Sequence, residues 1–194
     1  MMCAALAGVA LAGCSASPIV TETPSPTQTT EAPVVSATPS PTPTELTTEE
    51  LLALLPEGAE LQDLEGAVIT AQAFLEEFPK LYSEEGSALW EPLSLESCMF
   101  CADALRGANE LKEDGTVRTG GYPSFDESAT GAFVADDGES VLVRFRMTEA
   151  PATEIEVDGT ETEFPQNVFD VYMELSSVDG LWRIVGVDPE SVTA

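Results

Sequence analysis

Val141-Leu142-Val143-Arg144-Phe145-Arg146-Met147 decides the fold. Its odd positions are apolar, while Arg144 and Arg146 face the other way. Side chains of a strand alternate between two faces, so this stretch reads as a half-buried antiparallel strand with one face on a core. Toward the C-terminus the pattern repeats. Ile155-Glu156-Val157 and Thr160 to Phe164 flank the tight-turn pair Asp158-Gly159. Phe169, Val171, Met173 and Leu175 are again apolar at every second position, and Asp179-Gly180 turns the chain into a last strand from Leu181 to Val187. Toward the N-terminus, Asp136-Asp137-Gly138 is a hairpin signal, and Tyr122 to Ala135 alternates loosely before it.

Upstream of Gly115 the period is helical. Thr47-Thr48-Glu49-Glu50-Leu51-Leu52 reads as a helix start that ends at Pro56. Leu64, Ala67, Val68, Ala71, Phe74, Leu75, Phe78, Leu81 and Tyr82 recur at three- and four-residue spacing, with Asp63 as cap and Gly86 as stop. Pro79 lies inside that run and predicts a kink near Leu75–Phe78. Ser87 to Leu95 reads as a connection with one short helical turn. Ser97 is the expected cap of a second amphipathic helix that places Cys98, Cys101, Ala102, Leu105 and Ala108 on one face. Helices first and consecutive antiparallel strands after them define an α+β domain, expected over 47–190 with a tail at 191–194. Its helices should cover one face of a curved sheet.

The first 46 residues have a different composition. Met1 to Ala12 carry no charge and are shorter than the ~20 residues of a membrane span. Leu11-Ala12-Gly13-Cys14 reads as a lipobox: a signal peptide over 1–13, small residues for the peptidase, and a Cys14 thiol that takes the lipid. No Lys or Arg precedes the apolar run, so the expected translation start lies further upstream. Residues 14–46 are rich in Pro, Thr, Ser and Ala. They predict a disordered, extended tether that is a candidate for O-linked sugar. The expected location is extracytoplasmic, on the outer face of the cell membrane and held through lipid on Cys14.

Charge and composition exclude several functions. Against 35 acidic residues stand 7 basic ones, for a net charge of -28, and such a chain is repelled by nucleic acid. The sequence has no histidine, which removes the commonest general base and metal ligand. No Ser-x-x-Lys, Gly-x-Ser-x-Gly or phosphate-binding glycine loop occurs.

Three candidate sites stand out. Cys98 and Cys101 have the spacing of a structural disulfide, a redox couple at a helix N-terminus, or a pair of free or metal-bound thiols. The absence of a βαβ context weighs against the redox reading, and a zinc site would lack two ligands. Asp136, Asp137 and Glu139, and Glu154, Glu156 and Asp158, lack calcium-loop spacing and read as solvated hairpin faces, so no metal or other cofactor is expected. Arg144 and Arg146 are expected to pair with carboxylates such as Glu174; the sharper reading is an anion-binding wall.

The helix around Ala73-Phe74, Leu93-Ser94 with Cys98-x-x-Cys101, and the strand ending Trp182-Arg183-Ile184-Val185 together resemble an actinobacterial lipoprotein family, domain of unknown function 6318. The resemblance spans roughly 56–189 and implies an exported lipoprotein similar in plan to the nuclear transport factor 2-like cone. It implies no activity. The expected function is a lipid-anchored, non-catalytic module that binds a small-molecule ligand or an envelope protein, with a homodimer as a further expectation. The alternative is a thiol redox protein or pocket enzyme using Cys98 and Cys101.

Overall fold

The computed structural model describes residues 46–84 and 86–192. The expected signal peptide, with Leu11, Ala12, Gly13 and Cys14, and residues 14–45 of the expected tether lie outside the described residues. Four α-helices come first: α1 (Thr48–Leu54), α2 (Leu64–Glu76), α3 (Trp90–Leu93) and α4 (Met99–Glu113). Seven strands follow: β1 (Val117–Gly120), β2 (Pro123–Val134), β3 (Ser140–Glu149), β4 (Ala152–Ile155), β5 (Glu161–Phe164), β6 (Asn167–Val178) and β7 (Leu181–Ser191). The last strand thus runs one residue past the boundary expected at 190.

Local chemistry sets the helix ends. Thr47 and Glu50 form a reciprocal capping box on α1. The Asp63 carboxylate accepts from the amides of Glu65 and Gly66 at 3.0 and 3.1 Å and starts α2. The long kinked helix expected through Tyr82 is two pieces. Helix α2 stops at Glu76, and Phe78–Tyr82 continue as a 3-10 helix with Pro79 in its first turn, where a missing N–H costs nothing. The α4 cap is also one residue later than expected. The Cys98 Sγ accepts from the Cys101 amide at 3.2 Å, while the Ser97 hydroxyl donates to the Val185 carbonyl at 3.2 Å. Of the cysteine-bearing face, Ala102 is exposed.

The strands hydrogen-bond in the orders β2-β3-β6-β7 and β1-β4-β5. Their registers show one bent ribbon. Gly120 pairs with Ala152 and Pro123 with Glu149, three residues further on each strand, so no residue is inserted between the two ladders. The Gly121 amide donates to the Pro151 carbonyl at 3.1 Å, and the Ala150 amide to Tyr122 at 3.0 Å, so the ladder runs through the corner. The same holds between Ala152↔Phe164 and Glu149↔Asn167. The bend falls where Pro123, Pro151 and Pro165 remove ladder donors and where Gly120 and Gly121 take φ of 83° and 74°. The sheet is therefore curved, and α2 lies across its inner face against β2, β3, β6 and β7.

The core is the inner side of β3, β6 and β7 under the helices. Val143, Phe145, Val171, Met173, Leu175 and Ile184 are all 1% exposed or less, and they meet Phe74, Trp90 and Leu93 from the helices. Each such side chain contributes about 1.5–3 kcal/mol on burial. The Phe74 and Trp90 rings stack with centroids 4.1 Å apart. The free edge of β7 is capped by α3 and the segment after it. There Leu95 donates to the Ile184 carbonyl at 2.9 Å, and the Arg183 guanidinium donates to the Pro92 carbonyl. No helix among the described residues is long and apolar enough to cross a membrane.

Candidate functional site

An apolar cavity of about 130 Å³ opens between the helix layer and the bent end of the sheet. Leu75 and Phe78 close it from α2 and the 3-10 helix, and Phe100 from α4. The sheet supplies Met147, Phe169, Val171, Val187 and Pro189, with Gly121 and Pro123 at the corner. Glu149 is the one titratable residue of the lining. It sits there because β3 points its odd positions inward: after Val141, Val143, Phe145 and Met147, the next inward position is a carboxylate.

Glu149 belongs to a small, partly buried network. Arg118 of β1 donates to Glu149 Oε1 at 3.3 Å and to Glu154 Oε1 at 3.2 Å. The side chains of Arg118, Glu149 and Glu154 are 16%, 21% and 18% exposed. The guanidinium also lies over the Tyr82 ring at 4.8 Å and the Phe164 ring at 5.0 Å, so it ties the β1-β4-β5 flap to the helix layer. Burial raises the Glu149 carboxyl above its ordinary value, and the charge of Arg118 opposes that rise. Burial likewise raises the Tyr82 phenol, against the charge of Arg118.

The sequence-predicted sites lie elsewhere. Cys98 and Cys101 form a disulfide with Cα atoms 5.3 Å apart, and they are 1% and 2% exposed. Arg144 and Arg146 are neighbours on the outer face of the sheet and both reach Asp170. Arg146 binds it through two nitrogens at 2.9 Å, and Arg144 through one at 3.3 Å. Their partner is thus Asp170, on β6, and not Glu174, which the register sets opposite Leu142. In the hairpin, Asp137 caps the amides of Glu139 and Ser140, and Asp158 caps Thr160. Among the described residues no three His, Cys, Asp or Glu side chains are grouped to hold a metal ion.

Sequence reasoning missed Glu149 and Arg118. The signal for Glu149 was present, since it continues the inward phase of the strand that decides the fold. Arg118 gave none, because its role arises from the bend that brings β1 over the 3-10 helix.

Comparison with known proteins places the fold. No family model matches the chain, and no curated protein matches it. Among solved structures, the chain is similar to the intermembrane space region of the chloroplast protein ARC6. The identity is 15%, with 68% of this chain and 99% of that chain covered, at a TM-score of 0.52. Aln2 from a Streptomyces species covers 68% of this chain and 93% of its own at 18% identity and a TM-score of 0.41. A protein with a cystatin-like fold from Caulobacter vibrioides covers 66% and 91% at 10% identity and a TM-score of 0.42. The chain is an α+β domain with helices packed on a curved antiparallel sheet, a fold it shares with that region of ARC6.

Proposed function

We propose that the protein is a lipid-anchored, non-catalytic binding module on the outer face of the cell membrane, of the actinobacterial lipoprotein type its sequence resembles. Its cone takes a small molecule with an apolar body. The observation that carries this reading is the cavity under α2. Its walls are apolar, it holds one carboxylate, and that carboxylate is already oriented by Arg118. Small-molecule sites have this make-up, with an apolar lining and few placed polar groups. The side chains of the lining offer no nucleophile paired with a base, which supports binding over turnover. The buried Cys98–Cys101 bond serves as a brace at the start of α4. Cys14 supplies the anchor, and the Pro-, Thr- and Ser-rich sequence after it spaces the domain from the membrane.

Native mass spectrometry of the full chain, exported to an oxidising compartment, tests the binding reading. The expected result is a retained small molecule that dissociates on activation, at one copy per chain. Exchange of Val187→Trp, which fills the cavity, should abolish retention; retention unchanged by that exchange would overturn the assignment. Cys14→Ser should move the protein from the membrane fraction to the medium.

A further inference from the structure

The cavity is close in size to the ~150 Å³ apolar cavity that accommodates a benzene molecule. Its single polar mark carries a charge imbalance. Glu149 and Glu154 are two carboxylates that share one guanidinium, Arg118, so the network holds one negative charge more than it neutralises. Glu149 Oε1 accepts from Arg118, whereas among the described residues Glu149 Oε2 accepts no hydrogen bond. Glu149 lines the cavity, and an open acceptor with excess negative charge on a residue that lines a ring-sized apolar cavity suits one class of partner.

Resting on the reading of the cavity as a ligand site, we propose that its ligand is a small cation. It has an apolar body of about the size of a benzene ring and a primary amine whose ammonium binds Glu149. The ring fills the space between Phe78, Phe100, Phe169 and Val187. The ammonium donates to Glu149 Oε2 and neutralises the Arg118 network. A neutral alcohol of the same shape supplies the donor but not the charge, and a carboxylate of the same shape brings two negative groups together. Charge-assisted hydrogen bonds are about twice as strong as neutral ones, so the three shapes should separate.

The test uses benzylamine, benzyl alcohol and benzoate, titrated calorimetrically against the full oxidised chain at pH 7. Benzylamine should bind about tenfold tighter than benzyl alcohol, and benzoate more weakly than either. Glu149→Gln should bring benzylamine down to the level of benzyl alcohol, with the alcohol itself held within about twofold. Equal affinity for the amine and the alcohol on the unaltered chain, which needs no variant, overturns the proposal and leaves the apolar site standing. An amine preference that survives Glu149→Gln also overturns it. Failure of all three probes overturns the cavity as a ligand site.

Discussion

The indole Nε1 of Trp90 donates a 3.0 Å hydrogen bond to the backbone carbonyl of Cys101, the second half of the disulfide. The same indole stacks on Phe74 of α2. Helix α3, four residues long, is thus fixed to α2 by its ring face and to α4 by its ring nitrogen. Trp90→Phe keeps a ring over Phe74 but removes the donor and part of the volume. It should cost about 2 kcal/mol. Removing the disulfide, by Cys98→Ala with Cys101→Ala, should cost about 2 kcal/mol, since the loop it closes is short. Both changes act on the first turn of α4, so in urea denaturation the combined loss should be smaller than the two separate losses together.

The corner of the sheet rests on two glycines that differ in tolerance. A Cβ on Gly120 would lie 2.3 Å from the Pro151 carbonyl oxygen, which the ladder holds in place. A Cβ on Gly121 would lie 3.3 Å from the Glu149 carboxylate, the end of a flexible side chain. Both residues have positive φ, which alone costs an L side chain about 1–2 kcal/mol. Gly120→Ala should therefore lose more than about 2 kcal/mol, and Gly121→Ala about 1 kcal/mol. Urea midpoints of the two variants check the difference; equal losses would mean that the Pro151 carbonyl yields.

Much of this architecture is legible in sequence because its rules are local. Period-two apolarity on Val141–Met147 and Phe169–Leu175, turn pairs at Asp158-Gly159 and Asp179-Gly180, and the Asp63 cap all act within a few residues. What was not legible depends on long-range geometry. The bend needs Gly120, Ala152 and Phe164 aligned across three strands, and strand β1 makes sense only as the far side of that bend. The cavity is the space the bend leaves under Phe78 and Phe100, and no residue pattern encodes a space. The Arg144 and Arg146 pairing was legible as a type but not in its partner. Asp170 stands opposite Arg146 and diagonal to Arg144, a register that only the paired strands reveal.

Acid should weaken the fold. The hydrogen bond from Arg146 and the charges of Arg146 and Arg144 hold the Asp170 carboxyl below its ordinary value of 3.8. Hydrogen bonds from Ser140, Thr160 and Ser128 do the same for Asp137, Asp158 and Asp126. A carboxyl lowered in the folded state adds stability above its unfolded value, and that stability is lost as pH falls through the folded one. Glu149 has the opposite sign. Its raised carboxyl favours the fold when protonated, and that contribution fades as pH rises through its folded value. Hydrogen bonds from the Thr47 amide and hydroxyl lower the Glu50 carboxyl as well, and five lowered carboxyls against one raised predict a thermal midpoint that drops below about pH 4. Asp170→Asn should be less stable than the parent at pH 7 and should lose less on going to pH 3. A midpoint that rises on acidification would show that relief of the -28 net charge outweighs these pairs.

Two helical glycines carry opposite expectations for the same substitution. Glycine in a helix interior is worth about 1 kcal/mol less than alanine, from backbone entropy alone. Gly107, in the middle of α4, has nothing within 4 Å of the position a Cβ would take. Gly107→Ala should therefore stabilise the protein by about 0.5–1 kcal/mol. Gly66, in the first turn of α2, is different. A Cβ there would lie 2.0 Å from the Leu61 carbonyl oxygen and 3.1 Å from that of Gly58. The Leu61 carbonyl is itself fixed, because it accepts a 2.8 Å hydrogen bond from the Trp182 indole, and the neighbouring Gln62 amide donates to Gly180 at 3.0 Å. The connection between α1 and α2 is thus clamped to the β6–β7 turn, and it cannot move aside without breaking both bonds. Gly66→Ala should lose about 2 kcal/mol or more despite the better helix former. Thermal melts of the two variants beside the parent decide it. A rise for Gly107→Ala with a fall for Gly66→Ala is the expected pair, and a rise for both would mean that the Leu61–Trp182 contact does not constrain the start of α2.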